Sequence, residues 1–80
     1  MLITVRFFAS YADRLGLDQA QLMLEPGDSV SELLASVARL PGAQDLPASP
    51  LVAVNHVYAT LSTILRAGDE VAVIPPVAGG

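Results

Sequence analysis

Residues 70–80 read EVAVIPPVAGG and divide the chain into a strand and a tail. The first five residues place two valines on one face and an alanine and an isoleucine on the other, which predicts a strand with apolar side chains on both faces. The two prolines lack the N–H group that a sheet ladder requires, and they end this strand. The sequence therefore predicts a folded domain over residues 1–74 and a flexible tail over residues 75–80 that ends in Gly-Gly.

The opening strand has the same two-sided character. Leu2–Phe8 alternates, with Ile3, Val5 and Phe7 on one face and apolar residues also present on the other. A strand that is apolar on both faces is typical of the interior of a sheet, so we expect the first and last strands to lie side by side in its middle. Residues 19–24 alternate as well and predict a second strand, antiparallel to the first.

One long amphipathic helix is predicted in the next part of the chain. Ser29 and Glu32 have the spacing of a capping box, and Pro41 with the glycine after it ends the helix near Leu40. The apolar stripe along this helix consists of Val30, Leu33, Leu34, Val37 and Ala38. A stripe of this kind packs on one face of a sheet.

Shorter elements complete the prediction. Residues 9–15 predict a connecting helix, and residues 42–50 are expected to form a surface loop. Residues 51–54 and 57–60 predict two further strands, joined by a tight turn at Asn55-His56. The fold class is therefore α+β: a mixed sheet of four to five strands with one main helix packed on one face, the β-grasp or ubiquitin-like arrangement.

The composition excludes several kinds of site. The 80 residues contain no cysteine, so no disulfide can form. With one histidine and no cysteine, the chain also has too few ligands for a typical zinc site. The net charge is −4, and all four basic residues are arginines without a basic run, which disfavours nucleic acid and anionic membranes as partners. No apolar run approaches the length of a membrane span. A soluble cytoplasmic protein without a bound metal is expected.

Three stretches carry a resemblance to a known family: VRFFA at residues 5–9, LVAVN at residues 51–55, and GDEVA at residues 68–72, which runs into PPVAGG at residues 75–80. Together they are similar, over nearly the whole chain, to the small subunit of molybdopterin synthase, a ubiquitin-like sulfur carrier. The combination of the paired prolines with the terminal glycines is more specific than the glycines alone.

The resemblance implies that Gly80 is the reactive residue, with Gly79 beside it in the tail. A partner adenylyltransferase, similar to ubiquitin-activating enzymes, uses ATP to adenylate the Gly80 carboxylate, and a sulfur donor then replaces AMP to leave a thiocarboxylate. The sulfur is delivered to a cyclic pterin precursor in the large synthase subunit, in molybdenum cofactor biosynthesis. The carrier itself holds no cofactor, and it acts in catalysis only within the assembly of two large and two small subunits.

The same resemblance implies which residues bind these partners. They are Phe8, Tyr58, Ile74, Pro75, Pro76, Val77 and Ala78. Ile74 departs from the family pattern, in which an aromatic residue often precedes the prolines. The chemistry of the tail agrees with this role, because glycine has no side chain and can enter a narrow channel, and six extended residues reach roughly 20 Å.

Three other functions stay open at this point, one of which is a plain interaction domain whose tail has no chemical role. A sulfur carrier for another pathway, such as the synthesis of the thiamine thiazole, would use the same fold and the same terminal glycines. A ubiquitin-like modifier would instead join Gly80 to lysines of target proteins. The absence of lysine excludes chains linked through this protein itself but leaves attachment to other proteins possible.

Overall fold

The computed structural model describes residues 1–46 and 49–76. The elements follow the chain as β1 (Leu2–Phe7), α1 (Ala9–Leu15), β2 (Gln19–Met23), α2 (Val30–Val37), a 3-10 helix (Ala43–Asp45), β3 (Leu51–Val54), β4 (Val57–Tyr58) and β5 (Glu70–Ile74). The predicted α+β class, with one main helix against a mixed sheet, is confirmed.

The five strands form one sheet in the order β2-β1-β5-β3-β4. The first and last strands are neighbours in its centre and run parallel, with Val5 opposite Val71 and Phe7 opposite Val73. The remaining pairs are antiparallel. The predicted central position of β1 and β5 is confirmed, but each strand buries side chains on one face only, because the helices cover one side of the sheet and the side chains on the other side are half-buried or exposed.

The core lies between one face of the sheet and the two helices. Its largest fully buried side chains are Tyr11, Ile3, Leu33, Leu65, Val5, Val30, Val71 and Val73. Helix α2 buries Val30, Leu33 and Val37 there, so three of the five residues of the predicted stripe are buried. The capping box of Ser29 and Glu32 is present at the start of the helix. Among residues 1–46 and 49–76, the helices pack on one side and none covers the opposite face of the sheet.

The structure corrects four predicted boundaries, the first of which is the end of β2 at Met23 rather than at residue 24. Helix α2 ends at Val37 rather than near Leu40, which lies in a tight turn. Strand β4 ends at Tyr58 rather than Thr60, because the Thr60 N–H donates to Thr63 Oγ1 at 3.1 Å and begins a turn. Strand β1 stops one residue early, at Phe7, since α1 begins almost at once.

The expected surface loop at residues 42–50 contains a short helix instead. Residues Ala43–Asp45 form a 3-10 turn, and Ala43 is buried as part of the core. An alanine is small enough to be buried against packed helices, and a lone small residue gives no periodic signal from which burial could be predicted. Within the described residues, no helix is long and apolar enough to cross a membrane.

Candidate functional site

The face of the sheet opposite α2 carries the side chains that alternate with the core, and we call it the open face. The cross-strand register places Arg6 of β1 beside Ala72 of β5, Ala72 beside Ala53 of β3, and Ala53 beside Tyr58 of β4. Leu51 lies beside Ile74 in the same way. Small residues therefore lie in the middle of this face and larger ones around them.

A shallow depression on the open face brings three of the predicted partner-binding residues together. Its lining consists of Phe8, Ala53, His56, Tyr58, Glu70, Ala72 and Ile74, and we call it the docking depression. Phe8 is 42% exposed and Tyr58 is 72% exposed, whereas Ala53 on the floor is only 9% exposed. Large apolar side chains around an alanine floor leave a surface that a partner side chain could fill.

Phe8 is held at one edge of the docking depression by the junction between β1 and α1. Its N–H donates to the carbonyl oxygen of Val73 at 3.3 Å, and its own carbonyl accepts from the N–H of Tyr11 at 3.1 Å. The backbone of Phe8 is thus tied to the central strand on one side and to the first helix on the other. The backbone that carries the aromatic ring is therefore held between two regular elements.

The opposite edge of the depression is set by the turn between β3 and β4. Asn55 and His56 have φ angles of 50° and 72°, the left-handed conformation that a two-residue hairpin turn requires. The Asn55 side chain donates to Asp69 Oδ1 at 2.9 Å and accepts from the Glu70 N–H at 3.0 Å. The Asn55 N–H donates to the Glu70 carbonyl at 2.8 Å. One side chain thereby joins the hairpin carrying Tyr58 to the start of β5.

Two polar residues that line the docking depression were not among the partner-binding residues predicted from the sequence. Glu70 lies on the open face because its neighbour Val71 faces the core, and His56 Nε2 is 3.9 Å from Glu70 Oε1. Strand alternation alone could have assigned Glu70 to the face that also carries Ile74. The position of His56 depends on the hairpin geometry, and a lone histidine in a turn carries no signal of its own.

The tail begins at the edge of this surface. Pro75 is half-buried and Pro76 is exposed, and both follow Ile74 directly, although neither is among the residues that line the depression. The other predicted tail residues lie outside the described part of the chain: Val77, Ala78, Gly79 and Gly80. Residues 1–46 and 49–76 contain no group of three or more histidine, aspartate or glutamate side chains that could hold a metal ion.

Comparison with known proteins identifies the family. The ThiS family matches residues 5–80. The molybdopterin synthase sulfur carrier subunit of Arabidopsis thaliana is 30% identical over 79 residues, which cover 98% of this chain and 82% of the relative. Among solved structures, SAMP1 from Haloferax volcanii superposes with a TM-score of 0.85 at 25% identity, over the whole of both chains.

A complex of subunits 1 and 2 of the molybdopterin-converting factor from Helicobacter pylori contains a chain that matches with a TM-score of 0.72 at 26% identity, again over both whole chains. These similarities confirm the ubiquitin-like β-grasp fold and the resemblance carried by the three sequence stretches. The chain therefore belongs to the ThiS family, and to the molybdopterin synthase sulfur carrier subunits that it matches over nearly its whole length.

Proposed function

We propose that this chain is the sulfur carrier subunit of a molybdopterin synthase and that Gly80 bears the sulfur. The observation that carries the proposal is the course of β5. This central strand, anchored on both sides, runs into Pro75 and Pro76 at the edge of the docking depression. The family match continues through the terminal glycines. A rigid strand gives the tail a fixed origin, which limits the entropy lost when a partner receives it.

The first step of the proposed cycle activates the Gly80 carboxylate. A carboxylate is a poor electrophile, so one of its oxygens attacks the α-phosphorus of ATP in a partner adenylyltransferase, and pyrophosphate leaves. A sulfur donor then attacks the carbonyl carbon, and the bond to AMP breaks as the carbon–sulfur bond forms. If the donor is a persulfide, a second thiol then cleaves the sulfur–sulfur bond of the acyl persulfide, forms a disulfide with the donor and leaves Gly80 as a thiocarboxylate. ATP is bound by this partner, and the carrier needs no cofactor of its own.

The second step delivers the sulfur in the large subunit of the synthase. The thiocarboxylate sulfur bonds to a carbon of a cyclic pterin precursor as an oxygen substituent leaves that carbon, and hydrolysis of the resulting thioester leaves the sulfur on the pterin and returns Gly80 as a carboxylate. Because a dithiolene contains two sulfurs, two loaded carriers serve each pterin, in keeping with an assembly of two large and two small subunits. The proposed setting is the cytoplasm.

In this proposal the carrier binds its partner through the docking depression, and the tail, Pro75 to Gly80, occupies the active site of the partner. Aromatic side chains contribute strongly to interfaces because each buries a large area at little entropic cost. Phe8 and Tyr58 expose aromatic surface at opposite edges of the docking depression. Ile74 also lines the depression and directly precedes Pro75 in the chain. Docking through these residues would bring the start of the tail to the same point of the partner each time.

The proposal predicts a sulfur atom at Gly80. Protein incubated with its adenylyltransferase, ATP and a sulfur donor should gain the mass of sulfur replacing oxygen, and fragmentation should locate the change at Gly80. Localisation is essential, since oxidation of Met1 or Met23 gives nearly the same mass gain. The matched control is the same mixture without ATP. A carboxylate at Gly80 in the complete mixture would contradict the proposal.

A ubiquitin-like modifier is the second candidate, because the fold matches small archaeal modifier protein 1 so fully. The same mass analysis separates the two. Adducts joining Gly80 to lysines of other proteins would favour the modifier, whereas a free thiocarboxylate favours the carrier. The relatives named as molybdopterin synthase subunits favour the molybdopterin pathway over thiamine synthesis.

A further inference from the structure

Glu70 places a carboxylate in a depression whose other lining residues, apart from His56, are apolar or aromatic. It pairs with Thr4 across β1 and β5, and its side chain is 40% exposed on the open face. The Ala72 that follows it on this face leaves the carboxylate beside the alanine floor. An acidic group at this position meets any partner that covers the depression.

The backbone from which this carboxylate extends is held in place by Asn55. Asn55 bonds both backbone groups of Glu70, accepting from its N–H at 3.0 Å and donating to its carbonyl at 2.8 Å. The residue also belongs to the central strand, so neither it nor the adjoining turn can move away without breaking these bonds. The base of the Glu70 side chain therefore stays at the edge of the depression when a partner arrives.

Covering the depression removes water from the Glu70 carboxylate, and an ionised group that loses water without gaining a partner destabilises the complex. Within the described residues, His56 is the one basic group within 4.0 Å of it. Its imidazole is 91% exposed and carries a charge only when protonated, so it supplies a weak counter-charge. The missing counter-charge has to come from the partner.

We propose that Glu70 receives a cationic side chain of the large synthase subunit, placed beside an apolar residue that fills the docking depression. This inference rests on the proposed function. The exposed ring of Tyr58 lines the same depression, and a guanidinium can pair with a carboxylate while it stacks on an aromatic face. An arginine is therefore the side chain that best fits both features. The acidic net charge of −4 adds a general attraction to a basic partner surface.

The test is the affinity of the full-length carrier for the large subunit, measured by calorimetry with Glu70→Gln and Glu70→Lys. We expect Kd to rise about tenfold or more for Glu70→Gln and about a hundredfold for Glu70→Lys, because the partner cation loses its counter-charge or meets a like charge. Asp13→Asn is the matched control, since it removes one charge from an exposed position on α1. Its Kd should change less than about twofold.

Two outcomes separate this inference from the proposed function. If wild-type carrier binds the large subunit and Glu70→Gln binds within twofold of it, the cationic contact is refuted while the carrier function stands. If wild-type carrier does not bind, the proposed function itself fails. Raising the salt concentration should weaken wild-type binding more than Glu70→Gln binding, because screening acts on the lost charge pair. Equal salt dependence of the two proteins would also overturn the inference.

Discussion

At the scale of single residues, Gly42 is the position where the fold depends most directly on the absence of a side chain. Its φ angle is +88°, and a Cβ atom built there would lie 2.6 Å from the backbone oxygen of Arg14, at the end of α1. Real Cβ atoms do not approach a carbonyl oxygen so closely, and a backbone group cannot rotate away as a side chain can. Gly42 therefore lets the chain after α2 pass close to α1.

We predict that Gly42→Ala lowers the free energy of unfolding by more than about 2 kcal/mol, since the left-handed conformation and the clash both oppose it. Gly16→Ala is the matched control. Gly16 also has a positive φ angle, +70°, but nothing lies within 4 Å of a Cβ there. Gly16→Ala should lower the free energy of unfolding by about 1 kcal/mol, because only the left-handed backbone conformation opposes it. Urea unfolding of both variants measures the difference, and equal losses would show that the contact with Arg14 has no energetic weight.

At the scale of secondary structure, the start of α2 is held by residues distant in sequence. The N–H of Val30 donates to the carbonyl of Thr63, and that of Ser31 to the carbonyl of Leu61, both at 3.0 Å. The Ser29 N–H donates to Glu32 Oε2 at 2.8 Å, and the Ser29 hydroxyl donates to the same carboxylate oxygen. Donors that a helix leaves unpaired at its N-terminus are thus satisfied by a loop and a side chain.

The capping box predicts a pH dependence of stability. The Ser29 hydroxyl and backbone hydrogen bonds lower the pKa of Glu32 from its ordinary value of 4.5. A lowered folded pKa means that the ionised form stabilises the fold above the unfolded pKa, and that this contribution is lost as the pH falls through the folded pKa. The free energy of unfolding of wild type should therefore exceed that of Glu32→Gln by the full amount above about pH 5.5, and this difference should vanish in strong acid.

Thermal unfolding of both proteins across this pH range measures that difference. Glu25→Gln removes the same charge outside the box and is the matched control. If the gap between wild type and Glu32→Gln stayed constant down to strong acid, the carboxylate hydrogen bonds would not contribute to stability.

What could be predicted from the sequence follows from the distance between the residues involved. The Ser29–Glu32 box and the alternation of β5 are local patterns, and both were predicted correctly. The contact between Gly42 and Arg14 joins residues far apart along the chain and leaves no periodic trace. The position of His56 beside Glu70 likewise depends on a hairpin that folds back on the central strand. The family resemblance therefore indicated Phe8, Tyr58 and Ile74, but the prediction did not include the charged Glu70 that lies among them.

At the scale of the whole molecule, folding and sulfur carriage belong to different parts of the chain. Among the described residues, the core cluster runs from Ile3 to Val73 and includes neither Pro75 nor Pro76. The docking depression also ends at Ile74. The described core and the proposed docking surface thus precede Pro75 in the chain, and the proposed chemistry depends on Gly80, which lies outside the described residues.

Deleting Gly80 should therefore abolish sulfur transfer while the domain stays folded. The shortened chain still ends in a glycine carboxylate, but that carboxylate falls short by one residue, about 3.5 Å, which is enough to miss a reacting atom. We expect an unchanged melting temperature, binding to the large subunit within about threefold of wild type because the docking depression is intact, and no pterin product in a synthase assay. Asp13→Asn, which leaves the tail whole, should retain full transfer. Transfer by the shortened chain would mean that the reach of the tail is not what positions the sulfur, and a lowered melting temperature would mean that the tail takes part in the fold.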